Sequence, residues 1–147
     1  MGITDWLKRN IPTGLVKDKV LFHDTLNFVM RDINGKVVKY WKEKHNTWTA
    51  TGLDNIRNSL CDGGYTKITY MVCNGTGGTE VATTNTHLVA AQAVFVATWV
   101  AAGAITGITT FNLRQTTGGV SQSLVTVTSF DKPNGISLEV TWTTTLS

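Results

Sequence analysis

The segment TKITYMVCNGTGGTEVATTNTHL (residues 66–88) carries a glycine-rich loop, Asn74-Gly75-Thr76-Gly77-Gly78. Loops of this kind can cradle a phosphate through backbone N–H groups. That chemistry needs a Lys and a Ser or Thr after the last glycine, and a helix N-terminus behind the loop. Here Thr79-Glu80-Val81 follows, without lysine, and the dinucleotide spacing is also missing. The glycines are expected to serve backbone angles that other residues resist. His23, His45 and His87 are isolated, with no HxH or HExxH spacing. Cys73 and His87 make a nucleophile and base on paper, but nothing in the sequence puts them within hydrogen-bond reach. Asp131 and Glu139 are separated by a turn and part of a strand and do not form an acid–base pair. Cys61 and Cys73 lack CxxC spacing and have too few companions for a zinc site. Two free, partly buried thiols are expected. No catalytic residue, metal or cofactor is expected, and the chain does not read as an enzyme.

The remaining chemistry is that of surfaces. Tyr40 and Trp41 are interleaved with Lys39 and Lys42. Such a mixture can bind single-stranded nucleic acid by stacking. It is also the pattern of an amphipathic strand, one aromatic buried and lysine stems lying alongside, and that reading is preferred. The net charge of +3 is unevenly placed. Residues 1–75 carry 11 Lys or Arg against 7 acids, and residues 76–147 carry 2 against 3. The excess lies mainly in Arg31, Lys36, Lys39, Lys42 and Lys44. A weakly basic patch suits nucleic acid or an acidic protein surface, although an ordinary solvated hairpin face is the plainer account. Nucleic acid is therefore not expected as a partner, nor is a small-molecule ligand. The candidate interaction residues are Trp6, Leu7, Lys36, Lys39, Trp41 and Lys42.

The elements that must position these residues are mostly strands. The 147 residues suit one domain. Charged residues make up 16%, against about 25% in average soluble domains. Hydroxyls replace them: the 25 threonines lie mostly after residue 45. Threonine is β-branched and fits a pleated strand with a polar outer face. Residues 26–42, LNFVMRDINGKVVKYWK, read as a hairpin turning at Asn34-Gly35. TWTATGLDNIRNSLCDGG predicts a short helix over about residues 52–61. Thr51 is the expected N-cap, with Asp54 in the first turn, Leu53, Ile56 and Leu60 on one face, and Gly63-Gly64 as the stop. In KITYMVC, Ile68, Tyr70 and Val72 are expected to share one face. VAAQAVFVATWV is apolar on both faces and is expected to be central. GITTFNLRQ groups Thr109, Phe111 and Leu113, and SLVTVTSF alternates. In ISLEVTWTTTL, Ile136, Leu138, Val140 and Trp142 point one way, and Ser137, Glu139, Thr141 and Thr143 the other. Gly118-Gly119 and Pro133-Asn134-Gly135 separate these runs. The expected fold is mainly β: an antiparallel Ig-like β-sandwich over residues 25–147, with one short helix, preceded by an N-terminal arm over residues 1–24. Trp6 and Leu7 on that arm need something to pack against, either their own domain or a neighbour's.

MGITDWLKRN has no apolar core for a signal peptide, and Trp6 breaks the myristoylation pattern. No uninterrupted apolar run reaches the roughly 18 residues of a membrane helix, so no membrane association is expected. Asn74-Gly75-Thr76 matches a glycosylation acceptor, a pattern without meaning unless the chain is secreted.

The pieces, in order, resemble a group of small virion structural proteins of tailed bacteriophages and related archaeal viruses. The resemblance is carried by VMRDINGKVVKYW, KHNTWTATGLDNIRNSL, ITYMVCNGTGGTEVATTNTHL, AITGITTFNLRQ and LEVTWTTTLS, and covers roughly residues 26–147. Two departures stand out. The strand before the glycine loop reads YMVCNGTGG where the group has a form like YIALGTG, and the N-terminal extension lies outside the pattern. The resemblance implies a non-enzymatic β-sandwich, made in the host cytoplasm and present in many copies on a virion. Such a protein serves as capsid decoration or cement, as a head-fibre or receptor- or carbohydrate-binding fibre module, or as a tail, neck or baseplate component. Capsid decoration is preferred, with the arm docking the chain. The implied partners are copies of itself, in a symmetric oligomer such as a trimer, and another virion protein such as the major capsid protein. A hydroxyl-rich, charge-poor surface suits close packing, because each desolvated charge would need a partner.

Overall fold

The computed structural model describes residues 22–45, 48–62, 67–87 and 92–146. The expected Trp6 and Leu7 contacts lie outside these residues, as does the Gly63-Gly64 helix stop. Nine strands and one helix follow in order: β1 (Phe22–Arg31), β2 (Val37–His45), α1 (Ala50–Asp62), β3 (Tyr70–Cys73), β4 (Glu80–Ala82), β5 (Thr84–His87), β6 (Gln92–Trp99), β7 (Ile105–Arg114), β8 (Ser121–Lys132) and β9 (Ser137–Leu146). They form two antiparallel sheets, β2-β1-β9-β6-β5 and β4-β3-β7-β8, packed as a sandwich. β1 begins at Phe22, so residues 22–24, grouped with the arm on sequence, pair with Thr144–Leu146.

β9 is the central strand of the larger sheet, and its alternation is the one read from the sequence. Leu138, Val140 and Trp142 are fully buried, while Glu139, Thr141 and Thr143 lie on the outer face. β1 contributes Leu26, Phe28 and Met30 to the same inner face. β6 lies one strand from the edge rather than at the centre, and turns Phe95, Ala97 and Trp99 inward. The smaller sheet answers with Met71, Cys73, Ile108, Phe111, Leu113, Val125 and Val127. Phe28 joins the layers: its ring stacks on Trp41 at 4.7 Å and meets Phe111 at 5.5 Å and Phe130 at 5.6 Å. A buried Phe in such a cluster contributes about 3–5 kcal/mol, judged by truncation to Ala.

The structure shows which face of β3 is inner, and it moves the helix start. In β3 the inner face carries Met71 and Cys73, and Tyr70 and Val72 lie half-buried on the outer face. Ile68 is buried, but it precedes the strand, where the alternation has not begun. The helix starts two residues early because Thr49, not Thr51, is the cap. The Thr49 hydroxyl accepts from Gly52 N at 3.1 Å and donates to Gln122 O at 2.9 Å. Asp54 therefore lies beyond the first turn, and Leu53 is 43% exposed instead of facing the core. Gly52 is required at this seam: a Cβ there would sit 2.0 Å from Gln122 O.

Candidate interaction surface

The β1–β2 hairpin is shaped by its own turn. The Asp32 carboxylate accepts from Asn34 N and Lys36 N, both at 2.9 Å, and Gly35 sits at φ +81°. Positive φ is cheap for glycine and strained for other residues, which is why Asn-Gly is such a strong hairpin signal. Among the described residues β2 is an edge strand, paired with β1 on one side only. Trp41, Glu43 and His45 are half-buried, and Lys42 and Lys44 alternate with them on the exposed side.

The sequence-derived candidates separate here. Trp41 is a packing residue: Phe28 stacks on it with rings 8° from parallel, Phe130 meets it edge-on at 4.8 Å, and Lys39 Nζ lies over the ring at 4.6 Å. Lys39 is thus brought to Trp41 by a cation–π contact. Lys36 and Lys42 are exposed, as are Tyr40 at 62%, Val38 at 52% and Ile33 at 79%. A groove of about 540 Å³ runs between β2 and β8, the facing edge strand of the second sheet, with Trp41 and Phe130 in its lining. Glu43 crosses the gap and accepts from Thr128 N at 3.2 Å, while its other oxygen lies 3.1 Å from His45 Nε2. Further along, Thr49 N donates to Gln122 O at 3.1 Å, covering another part of the β8 edge.

Elsewhere, Cys73 and the glycine loop are held in structural contacts. Cys73 is a free, buried thiol, pushed up from its ordinary 9.0 by burial, with the Lys132 charge pulling the other way. Cys61 and the side chain of His87 lie outside the described side chains. The glycine loop turns the chain from β3 toward β4. Asn74 Oδ1 accepts from Thr109 N at 2.7 Å and Thr110 N at 2.9 Å, and Thr76 bridges to Thr106. A Cβ on Gly75 would meet Thr106 O at 2.5 Å, so the loop presses its backbone onto the start of β7. Among the described residues no helix stands behind it, and the amides of Asn74, Thr76 and Gly78 donate to protein carbonyls.

Two buried charges had no sequence signature strong enough to be singled out. Lys132 is 1% exposed and donates to Gly103 O at 2.6 Å and Ile136 O at 2.8 Å. It pins the β6–β7 loop to the β8–β9 turn, and burial lowers its pKa from the ordinary 10.5. A cavity of about 390 Å³ beside it is lined by Trp99, Val81 and Ile105. Asp24, also 1% exposed, accepts on Oδ1 from Thr144 Oγ1 at 2.7 Å, Trp142 Nε1 at 3.0 Å and Trp48 Nε1 at 3.4 Å. Its signal was parity: Asp24 shares a face with Leu26, Phe28 and Met30. Trp99 is 3% exposed and donates to Thr79 O at 3.1 Å. Trp48 packs on Phe22 with ring centres 5.3 Å apart, so both tryptophans serve the fold.

Among the described residues, no group of three or more His, Cys, Asp or Glu could hold a metal ion, and no helix is long and apolar enough to cross a membrane. No protein-family model, curated protein or solved structure matches this chain.

Proposed function

We propose that this protein is a non-enzymatic structural component of a virion, a capsid decoration protein that assembles in many copies. The observation that carries the reading is the distribution of charge. The sandwich is hydroxyl-rich and poor in charge, and its cationic excess is gathered on one hairpin whose outer edge no described residue pairs. A surface of this kind packs against copies at small desolvation cost, leaving one charged site to choose an orientation on an acidic neighbour. The commitment of Cys73, Lys132 and Asp24 to buried contacts supports a building block over a catalyst. The resemblance of the segment order to that of small virion structural proteins is the ground for the setting.

Quantitative mass spectrometry of purified particles tests this reading. A copy number that is a simple fraction of the major capsid subunit count is the expected result. A few copies, in multiples of three or six, would move the protein to the tail, neck or baseplate. Absence from particles would refute the virion assignment. Deleting residues 1–21 should lower the copy number on particles while the sandwich still folds. The deletion must stop there, because Asp24 belongs to the core.

A further inference from the structure

The two edges that flank the groove are treated differently. On β8, Glu43 caps Thr128 N, and the Trp48–Thr49 segment covers Ser123 and Gln122. On β2, no described residue covers the outer edge of Val37–His45. An uncovered edge is a template for another strand. Lysines commonly guard such edges, and Lys39, Lys42 and Lys44 do so against copies of this chain. They stand, however, beside exposed Val37, Val38 and Tyr40, which a purely protective edge would not present.

We infer that β2 is a docking strand for an extended acidic segment of a partner protein, which adds to the larger sheet as a sixth strand. Charge selects this occupant. The hairpin holds Arg31, Lys36, Lys39, Lys42 and Lys44 against Asp24, Asp32 and Glu43. All three acids are engaged, Asp24 by buried donors, Asp32 by turn amides and Glu43 by Thr128 N and His45. The same edge of a second copy therefore brings more cations and, among its described residues, no uncommitted carboxylate. An incoming strand alternates its side chains between two environments. On the outer face it would set carboxylates beside Lys42 and Lys44 and apolar groups beside Val38 and Tyr40. On the inner face it would set an apolar group into the groove by Trp41. Main-chain bonds supply affinity and these positions supply selection.

The inference rests on the reading of the chain as an assembly component. Particle counting tests that reading and the strand is tested separately, so either can fail alone. The probe is the peptide acetyl-ETEVVE-amide, titrated into full-length isotope-labelled protein. Amide shifts confined to residues 37–45 are expected. The double variant Lys42→Glu/Lys44→Glu, both sites exposed, should weaken binding by about tenfold or more. A peptide of the same sequence, N-methylated at alternate residues, should not bind to the wild type. Shifts elsewhere, no binding, or equal binding of the N-methylated peptide would overturn the proposal. So would concentration-dependent shifts at β2 without peptide, which would make a second copy the occupant, or displacement of the peptide by oligo-dT, which would make it nucleic acid.

Discussion

Replacing Asp24 with Ala should lower stability by about 3 kcal/mol, and the structure says where the loss arises. Trp142 and Thr144 are buried, and each donates to Asp24 Oδ1. Without the carboxylate, two buried donors lose their acceptor, at about 1–3 kcal/mol each. Trp48 is half-buried, and its N–H can turn to water at little cost. Against this, the substitution removes Oδ2, which has no hydrogen-bond partner among the described residues, and ends the desolvation of a buried charge. The orphaned donors outweigh that relief because they remain in the core with nothing in reach. For a chain of this length the loss corresponds to a fall in Tm of about 10 °C.

The assay is guanidinium unfolding followed by tryptophan fluorescence and circular dichroism, on wild type, Asp24→Ala, Thr144→Val and the double variant. Thr144→Val removes one donor with little change of shape. In that background Asp24→Ala should cost about 1 kcal/mol less, the worth of one buried hydrogen bond. An unchanged midpoint for Asp24→Ala would refute the assignment of Asp24 as organiser of this end of the sandwich. An equal cost in both backgrounds would show that Asp24 and Thr144 are not coupled.

Two further predictions concern the glycines and the buried thiol. Gly35 and Gly77 have similar φ, +81° and +85°, but an added Cβ meets nothing at Gly35 and lies 2.6 Å from Ala104 O at Gly77. Gly35→Ala should cost about 1 kcal/mol of backbone strain, and Gly77→Ala about 2 kcal/mol more for the displaced loop, both read by denaturant midpoint at constant m. Cys73, its pKa raised by burial, keeps its full stabilising contribution below about pH 9 and loses it as pH rises through the native value. The lowered pKa of Lys132 has the opposite sign, its contribution growing as pH rises toward 10.5. Cys73→Ala should therefore remove a fall in stability that sets in as pH rises past about 9, and a fall of the same size in the variant would exclude Cys73 as its source.

What the sequence makes legible depends on whether the two parities of a strand differ. In β9 the inner positions Leu138, Val140 and Trp142 alternate with Glu139, Thr141 and Thr143, so the buried face is plain. In KITYMVC both parities are apolar, and only pairing with β4 and β7 shows that Met71 and Cys73 face inward. β8 hides its second half for another reason. Between Thr110↔Thr126 and Ile108↔Phe130, two steps in β7 match four in β8. The bulge turns Phe130 and Lys132 toward the interior, and no period of two would place them there. The helix cap was missed by two residues because Thr49 and Thr51 are equally good locally; Gln122 O, more than seventy residues away, decides between them. The groove was not legible at all, because it exists only where two edges from different sheets face each other.

The same long-range pairing explains why the candidate site is basic. Among the described residues, Glu80 pairs with Arg114 at 3.2 Å, Lys132 is sealed among carbonyls, and Asp24 is sealed among donors. Folding thus withdraws charges of both signs from the surface. Lys67 remains exposed away from the hairpin, but the grouped excess is that of β2 and its turn. Lys42 and Lys44 stand on one side of a strand, about 7 Å apart, within the roughly 8 Å screening length of physiological salt. They can act together on a partner in contact but exert little pull at a distance. A chain built this way does not steer a partner from solution. On the proposed reading it would hold one already brought close, as on a particle where copies and their neighbours are concentrated by assembly, and there a few paired charges would decide which edge is met and in which direction.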